Sequence, residues 1–310
     1  MIKANHPTVG FAFSGSGNRS TFYIGFLEAI SEAGIPVDFI AASSGGSLVA
    51  AAYACGALKE FKTATLSLNN ETLKQYITKP KGRGGLYSLD KVEEEMLKFT
   101  KGLTFEEVRP LMSFSTVDIE TGEKINLCMG DIARAARISC TLPGIFEPAK
   151  WGNRTLVDGG LLSLVPVEAL KQFPADITVG VNMRGTRHIF TDRQVTLKKA
   201  LNFVKKIVYW DEMSGLLNGL VTHEEEIDFE NNPRIFTVLG KSLDLAIAAN
   251  QSSNEDLSCD LMIEPGLPLL KRDIFAQFHP YYEMGRDCAV KYTPKIQKLI
   301  EQKLEEAAKL

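Results

Sequence analysis

A chain of 310 residues, 45% hydrophobic and 24% charged, is long enough to bury a core of its own, so nothing in its size calls for a disulfide or a metal to hold it together. A net charge of -3 lacks the basic footprint of a nucleic-acid binder and gives no long-range pull toward an anionic membrane. Cys55, Cys128, Cys140, Cys259 and Cys288 are scattered, odd in number and without a CxxC pair, which argues against a disulfide framework and a zinc site. No stretch reaches the roughly 18 apolar residues of a membrane span, and residues 1–7 lack the apolar core of a signal peptide. The expectation is a reduced, soluble, cytoplasmic protein.

In chain order, Val9 to Phe13 is an apolar run that reads as a buried strand feeding the turn Ser14-Gly15-Ser16-Gly17. Ser20 to Ala33 carries Phe22, Phe26, Leu27 and Ile30 at helical spacing and stops at Gly34. Asp38 to Ala42 is a second apolar strand, Ser43-Ser44-Gly45-Gly46 a second turn, and Ser47 to Cys55 a helix of small residues. Strand, turn, helix twice over is the signature of an α/β fold with a parallel sheet.

Residues 59 to 112 read as mostly helical, with a glycine-rich break at 81–85. Strands are predicted at Phe114 to Ile119, Lys124 to Cys128, Thr155 to Val157, Asp176 to Met183 and Leu261 to Glu264. A short helix is predicted at Asp131 to Ala136, irregular chain from Ile138 to Pro148, and a C-terminal helix opened by Thr293-Pro294. Leu197 to Val221 is a long helical pattern with Leu197, Leu201, Val204 and Val208 on one side and Lys198, Lys199, Lys205 and Lys206 around it. Such a helix can rest on a bilayer, although an amphipathic stripe more often packs on its own core.

Ser44 sits between a strand and a helix, where a tight turn projects a serine hydroxyl above the sheet edge. The G-x-S-x-G spacing holds at Ser44 and Gly46, with Ala42 in place of the first glycine. The helix that starts there favours developing negative charge. The plain alternative is a turn that only joins two elements.

The turn at Gly15, Ser16 and Gly17 can aim backbone amides at an anion because glycine keeps side chains out of the way. Arg19 could brace that loop or bind a phosphate. A dinucleotide fingerprint is the competing reading, but Ser20 replaces its third glycine and Asp38 begins the second strand rather than ending it. The turn could also be structural, with no ligand.

Asp158, after an apolar strand and before Gly159 and Gly160, suits a carboxylate held at a sheet edge. Burial beside an apolar site would raise its basicity toward that of a useful general base, while the plain reading is a turn cap. His6, His188, His223 and His279 offer no strand-end context as clear as that of Asp158. Lys79, Lys81 and Arg83 could meet lipid head groups, though a solvated loop is the simpler reading.

Taken in order, Ser14-Gly15-Ser16-Gly17-Asn18-Arg19, Ser43-Ser44-Gly45-Gly46 and Asp158-Gly159-Gly160 resemble the patatin-like phospholipases, a family similar to the catalytic domain of cytosolic phospholipase A2. The resemblance extends to Asp118-Ile119-Glu120-Thr121-Gly122 and to Ser139-Cys140-Thr141-Leu142-Pro143-Gly144-Ile145-Phe146. It implies an α/β/α three-layer fold with a mainly parallel central sheet. It further implies a single domain over residues 1–310, with a motif-bearing core at about 8–185 and a C-terminal helical part at about 186–310. By resemblance, Ser44 and Asp158 form a catalytic dyad, the amides of Gly15, Ser16 and Gly17 an oxyanion hole, and Arg19, Gly46, Gly159 and Gly160 support them. The implied activity is hydrolysis of a phospholipid or another acyl ester without cofactor or metal, with peripheral membrane contact and no nucleic acid. A carboxylesterase or thioesterase with the same dyad, and an inactive lipid-binding or interaction protein on the same fold, are the alternatives.

Overall fold

The computed structural model describes residues 6–15, 17–69, 72, 75–82, 84–183, 258–267 and 278–309. The helical pattern at 197–221, His188, His223, Ser16 and Arg83 lie outside these residues.

Side-chain alternation along the first two strands fixes the layers. In β1 (Val9–Phe13), Val9, Phe11 and Phe13 point to one side of the sheet, and Ala12 to the other. In β2 (Phe39–Ser43), Ile40 and Ala42 share the first side, while Phe39 and Ala41 share the second. The two strands pair in parallel with Phe11 opposite Ile40 and Phe13 opposite Ala42. Strands with both faces covered can be apolar throughout, and both are buried along their whole length.

The first side carries α1 (Thr21–Glu32) and α2 (Gly45–Ala54). The second side is covered by Leu164, Val165 and the short α6 (Val167–Leu170), with Phe173 stacked on Phe39 at 5.2 Å. The intervening elements are α3 (Leu58–Leu66), β3 (Gly85–Tyr87), α4 (Asp90–Thr100), β4 (Leu111–Asp118), β5 (Lys124–Leu127), α5 (Ile132–Ser139), β6 (Gly144–Phe146), β7 (Ala149–Trp151) and β8 (Arg154–Asp158). After α6 come β9 (Ile177–Val181), β10 (Leu261–Ile263) and α7 (Phe278–Ala308).

The main sheet runs β10-β9-β1-β2-β4-β8-β7, with β5 also on β4. It is parallel from β10 to β4 and antiparallel where β5, β8 and β7 join. The expected α/β architecture is therefore present, with antiparallel strands added on one side. β3 and β6 form a separate two-stranded sheet, so two stretches expected to be helical and irregular each contain a short strand.

The last helix differs from the sequence expectation. Pro294 lies inside α7 instead of in its first turn, and the helix begins at Phe278. The proline denies a donor to the carbonyl of Val290, but Val290 is exposed, so solvent can satisfy that carbonyl. Thr293 Oγ1 adds a bond to the Ala289 carbonyl at 2.9 Å.

α7 crosses α1 at backbone contact. A β-carbon at Gly25 would lie 2.1 Å from the Tyr282 carbonyl oxygen, and one at Gly285 2.0 Å from that of Phe22. Charged groups frame the crossing: Glu28 binds Lys62 at 2.7 Å and accepts from the Tyr282 hydroxyl at 2.7 Å, and Arg286 binds Glu32 at 2.6 Å. No helix among the described residues is long and apolar enough to cross a membrane.

Candidate active site

The serine turn is strained. Ser44 has φ 52° and ψ −132°, a conformation that favours glycine, and it is the residue from which α2 starts. The turn can be this tight because its neighbours are small. A β-carbon at Gly46 would lie 3.2 Å from Phe13 Cβ and 3.4 Å from the Phe13 carbonyl oxygen, so α2 begins in close contact with β1, and a side chain there would need its neighbours to shift. Ala42, in place of the pattern's first glycine, is fully buried in the core, where its methyl is accommodated.

Strand pairing explains why Asp158 is close. β2 pairs with residues 111–115 of β4, β5 with residues 114–117, and β8 with residues 116–118. A strand has two edges, so the overlaps put β5 on one edge and both β2 and β8 on the other. β2 and β8 therefore run toward each other along a single edge. Ser43 ends one opposite Ser115, and Asp158 ends the other opposite Thr116. Successive residues of a strand are spaced by about 3.3 Å, so the two ends meet at neighbouring levels.

Glycine is required for the chain to leave this junction. A β-carbon at Gly159 would sit 2.3 Å from the Ser115 carbonyl oxygen. Gly160 donates its amide to Asp158 Oδ1 at 2.8 Å, and a β-carbon on it would come 3.7 Å from Ser43 Oγ. Asp158 is 2% exposed. Its carboxylate thus caps the short 3-10 turn that follows, as the plain reading expected, and does so beside the serine turn.

The glycine turn lies on the same edge. A β-carbon at Gly15 would be 3.4 Å from Ser44 Cβ and 3.9 Å from Ser43 Oγ. Gly15 donates to the Leu164 carbonyl at 3.1 Å, and Gly17 has φ 54° with open space around its α-carbon. Tyr23 anchors the base of the turn. Its buried hydroxyl bonds the Ser14 carbonyl at 2.9 Å, and Ser14 Oγ accepts the Met183 amide at 2.9 Å. Burial pushes the Tyr23 phenol above its ordinary range, so it stays a neutral donor. Arg19 donates to the Met183 carbonyl at 3.2 Å.

The sequence places Ser139 and Thr141 only within a longer stretch, and the structure gives them specific partners. Ser139 Oγ accepts the Ser44 amide at 2.9 Å and donates to the Ser115 carbonyl at 2.9 Å. The Thr141 carbonyl accepts the Asp158 amide at 2.8 Å. Nothing in the residue types alone singles these out, because a buried serine bonding to backbone has no spacing signature. Cys140 lies between them, and burial followed by the charge of Asp158 pushes its thiol far above the ordinary range.

Other candidates sit elsewhere. His6 is 3.9 Å from Asp38, before the N-terminal end of β1 and so at the opposite end of that strand from Gly15. His279 is exposed in the first turn of α7. Lys81 binds Asp90 at 2.8 Å, and the same carboxylate meets the buried Arg137 at 3.4 Å. Among the described residues no group of three His, Cys, Asp or Glu side chains is arranged to hold a metal ion.

The chain is 26% identical over 183 residues to an uncharacterised NTE family protein of Mycobacterium bovis, which covers 59% of this chain and 51% of the relative. It is 26% identical over 291 residues to another of Mycobacterium tuberculosis, 91% of this chain and 46% of the relative. It is also 24% identical over 305 residues to the lysophospholipase NTE1 of Lodderomyces elongisporus, 91% of this chain and 19% of that protein. The chain thus spans about half the length of the mycobacterial relatives it matches. Among solved structures, VipD from Legionella pneumophila aligns with 93% of this chain and 67% of its own, at 12% identity and a TM-score of 0.42. Residues 11–171, which hold the glycine turn, the serine turn and the aspartate, match the patatin-like phospholipase family, and the chain belongs to it.

Proposed function

We propose that the protein is a serine acyl hydrolase acting on a lipid ester, with Ser44 as nucleophile, Asp158 as base and the amides of Ser16 and Gly17 as the oxyanion hole, the Gly15 amide being held by the Leu164 carbonyl. The observation that carries this reading is the backbone of Ser44: a non-glycine residue held at φ 52° between strand and helix, at the point where β2 and β8 converge. Strain of this kind, at a cost of order 1–3 kcal/mol, persists where the surroundings force it and clusters at reactive sites. Family membership supports a lipid ester as substrate, and the name of the fungal relative supports a lysophospholipid or phospholipid.

In this mechanism the Asp158 carboxylate takes the proton of Ser44 Oγ as that oxygen bonds to the ester carbonyl carbon. The turn's amides hold the negative oxygen that forms, a contribution worth about 10²–10³ in rate per donor. The ester C–O bond then breaks, the leaving alcohol taking the proton from Asp158. Water gives a proton to Asp158 while its oxygen attacks the acyl carbon, and the fatty acid departs as Ser44 regains its proton. Because Ser139 occupies the Ser44 amide and the Leu164 carbonyl occupies that of Gly15, the oxyanion donors come from other groups, which favours the later residues of the glycine turn, Ser16 and Gly17. Arg19, Gly46, Gly159 and Gly160 act by keeping the turns in place. Peripheral contact with a lipid surface belongs to the same reading.

A lipid panel and a fluorophosphonate probe test it. Wild type should hydrolyse at least one phospholipid or lysophospholipid and be labelled at Ser44. Ser44→Ala should lose labelling and about 10⁴-fold in rate with the fold retained. Full hydrolysis by Ser44→Ala overturns the proposal.

A further inference from the structure

The reading above needs a hydroxyl and a carboxylate from two separate strands to stay in register. β2 and β8 make no ladder with each other. Each pairs with β4, and they stop end to end on the same edge. At that seam each strand end leaves a backbone amide without a ladder partner: Ser44 N, at the start of α2, and Asp158 N. Both are taken by one three-residue segment. Ser139 Oγ accepts the Ser44 amide at 2.9 Å, and the Thr141 carbonyl accepts the Asp158 amide at 2.8 Å.

The segment is itself fixed from three sides. Ser139 Oγ donates to the Ser115 carbonyl at 2.9 Å, on the β4 residue where the two strands meet. The Cys140 amide bonds the Arg137 carbonyl at 3.1 Å, and the Thr141 amide bonds that of Ile138 at 2.9 Å. Thr141 Oγ1 reaches the Arg137 carbonyl at 3.2 Å. The segment therefore closes the C-terminus of α5, whose opening is capped by Asp131 through the Arg134 amide at 2.7 Å. Ser139 and Thr141 are both fully buried.

We propose that Ser139-Cys140-Thr141 is a positioning clamp that sets the separation and orientation of Ser44 and Asp158, with Ser139 as its adjustable end. Ser139 acts through the Ser44 amide and does not touch substrate. Its hydroxyl is the acceptor that lets Ser44 keep φ 52°, because the part-buried amide would otherwise lose its hydrogen-bond partner. This inference rests on the assignment of Ser44 and Asp158 as the dyad.

The test is a Ser139 series: S139A, S139T and S139C, compared with wild type for kcat, KM and the rate of fluorophosphonate labelling at Ser44. Ser139→Ala should lower kcat and the labelling rate about 10²-fold, the effect of a misplacement near 1 Å, with KM little changed. Ser139→Thr keeps the hydroxyl and should recover most of both rates. Ser139→Cys is nearly isosteric with a poor acceptor, so it should resemble Ser139→Ala and carries the test should the alanine variant not fold. Wild-type labelling in every variant overturns the clamp, as does a threonine variant no faster than the cysteine one. Failure of wild type to label at Ser44 sinks the dyad assignment instead.

Discussion

At Ser44 the chain spends stability on a conformation that a β-carbon disfavours, and the expense can be measured. Ser44→Ala keeps the β-carbon and should leave the melting temperature almost unchanged. Ser44→Gly removes the strain and should raise stability by ~1 kcal/mol, or about 2 °C in Tm, while also abolishing hydrolysis. Calorimetry on the two variants separates strain from catalysis, and a glycine variant less stable than the alanine variant contradicts the strain. Arg137 gives a second residue-scale expectation. It is buried, two of its guanidinium nitrogens have no hydrogen-bond partner among the described residues, and its contact with Asp90 is long. The bond from Lys81, followed by that from Ser88, holds the Asp90 carboxyl below the usual carboxylate range. A depressed carboxyl stabilises the fold above its unfolded pKa of about 3.9 and loses that contribution as pH falls through the folded value. Asp90→Asn should therefore lower Tm at pH 7, and its gap from wild type should narrow below pH ~4. A gap that stays constant from pH 7 to pH 2 contradicts the assignment.

Between elements, the tightest contact is the crossing of α1 and α7. Gly25→Ala or Gly285→Ala places a methyl within 2.1 Å of a carbonyl oxygen on the facing helix. Backbone cannot yield as a side-chain tip does, so each should cost about 3 kcal/mol, the upper end for overpacking. Chemical denaturation measures this, and a change under about 0.5 kcal/mol contradicts the close approach. Element identity was legible where periodicity was strong. Val9–Phe13, Phe39–Ser43 and α1 follow from apolar spacing alone, to within a residue or two. The start of α7 was not legible, because a Thr-Pro pair is a helix-opening signal and only exposure of Val290 makes an internal proline tolerable. β3 and β6, three residues each, are too short for any period to register.

For the molecule as a whole, the parallel half of the sheet could be anticipated from repeated strand-turn-helix units, and both glycine-bearing turns lie where such sheets bind ligands, beyond the carboxyl ends of β1 and β2. Asp158 reaches the same place by a route that residue patterns do not encode, since the pairing of β8 with β4 joins residues about 40 positions apart in antiparallel register. The residues proposed for the site came from local motifs, whereas the contacts of Ser139, Thr141 and Tyr23 around them could not be read in the sequence, because each works through backbone partners distant in sequence.

The close crossing of α1 and α7 reaches further than stability. Thr21 Oγ1 also donates to the Phe278 carbonyl at 3.0 Å, so the helix that follows the glycine turn is gripped at its first residue by the start of α7. Removal of α7 should therefore cost the remaining chain its activity even though that chain carries every proposed catalytic group, and full hydrolysis without α7 would contradict the grip.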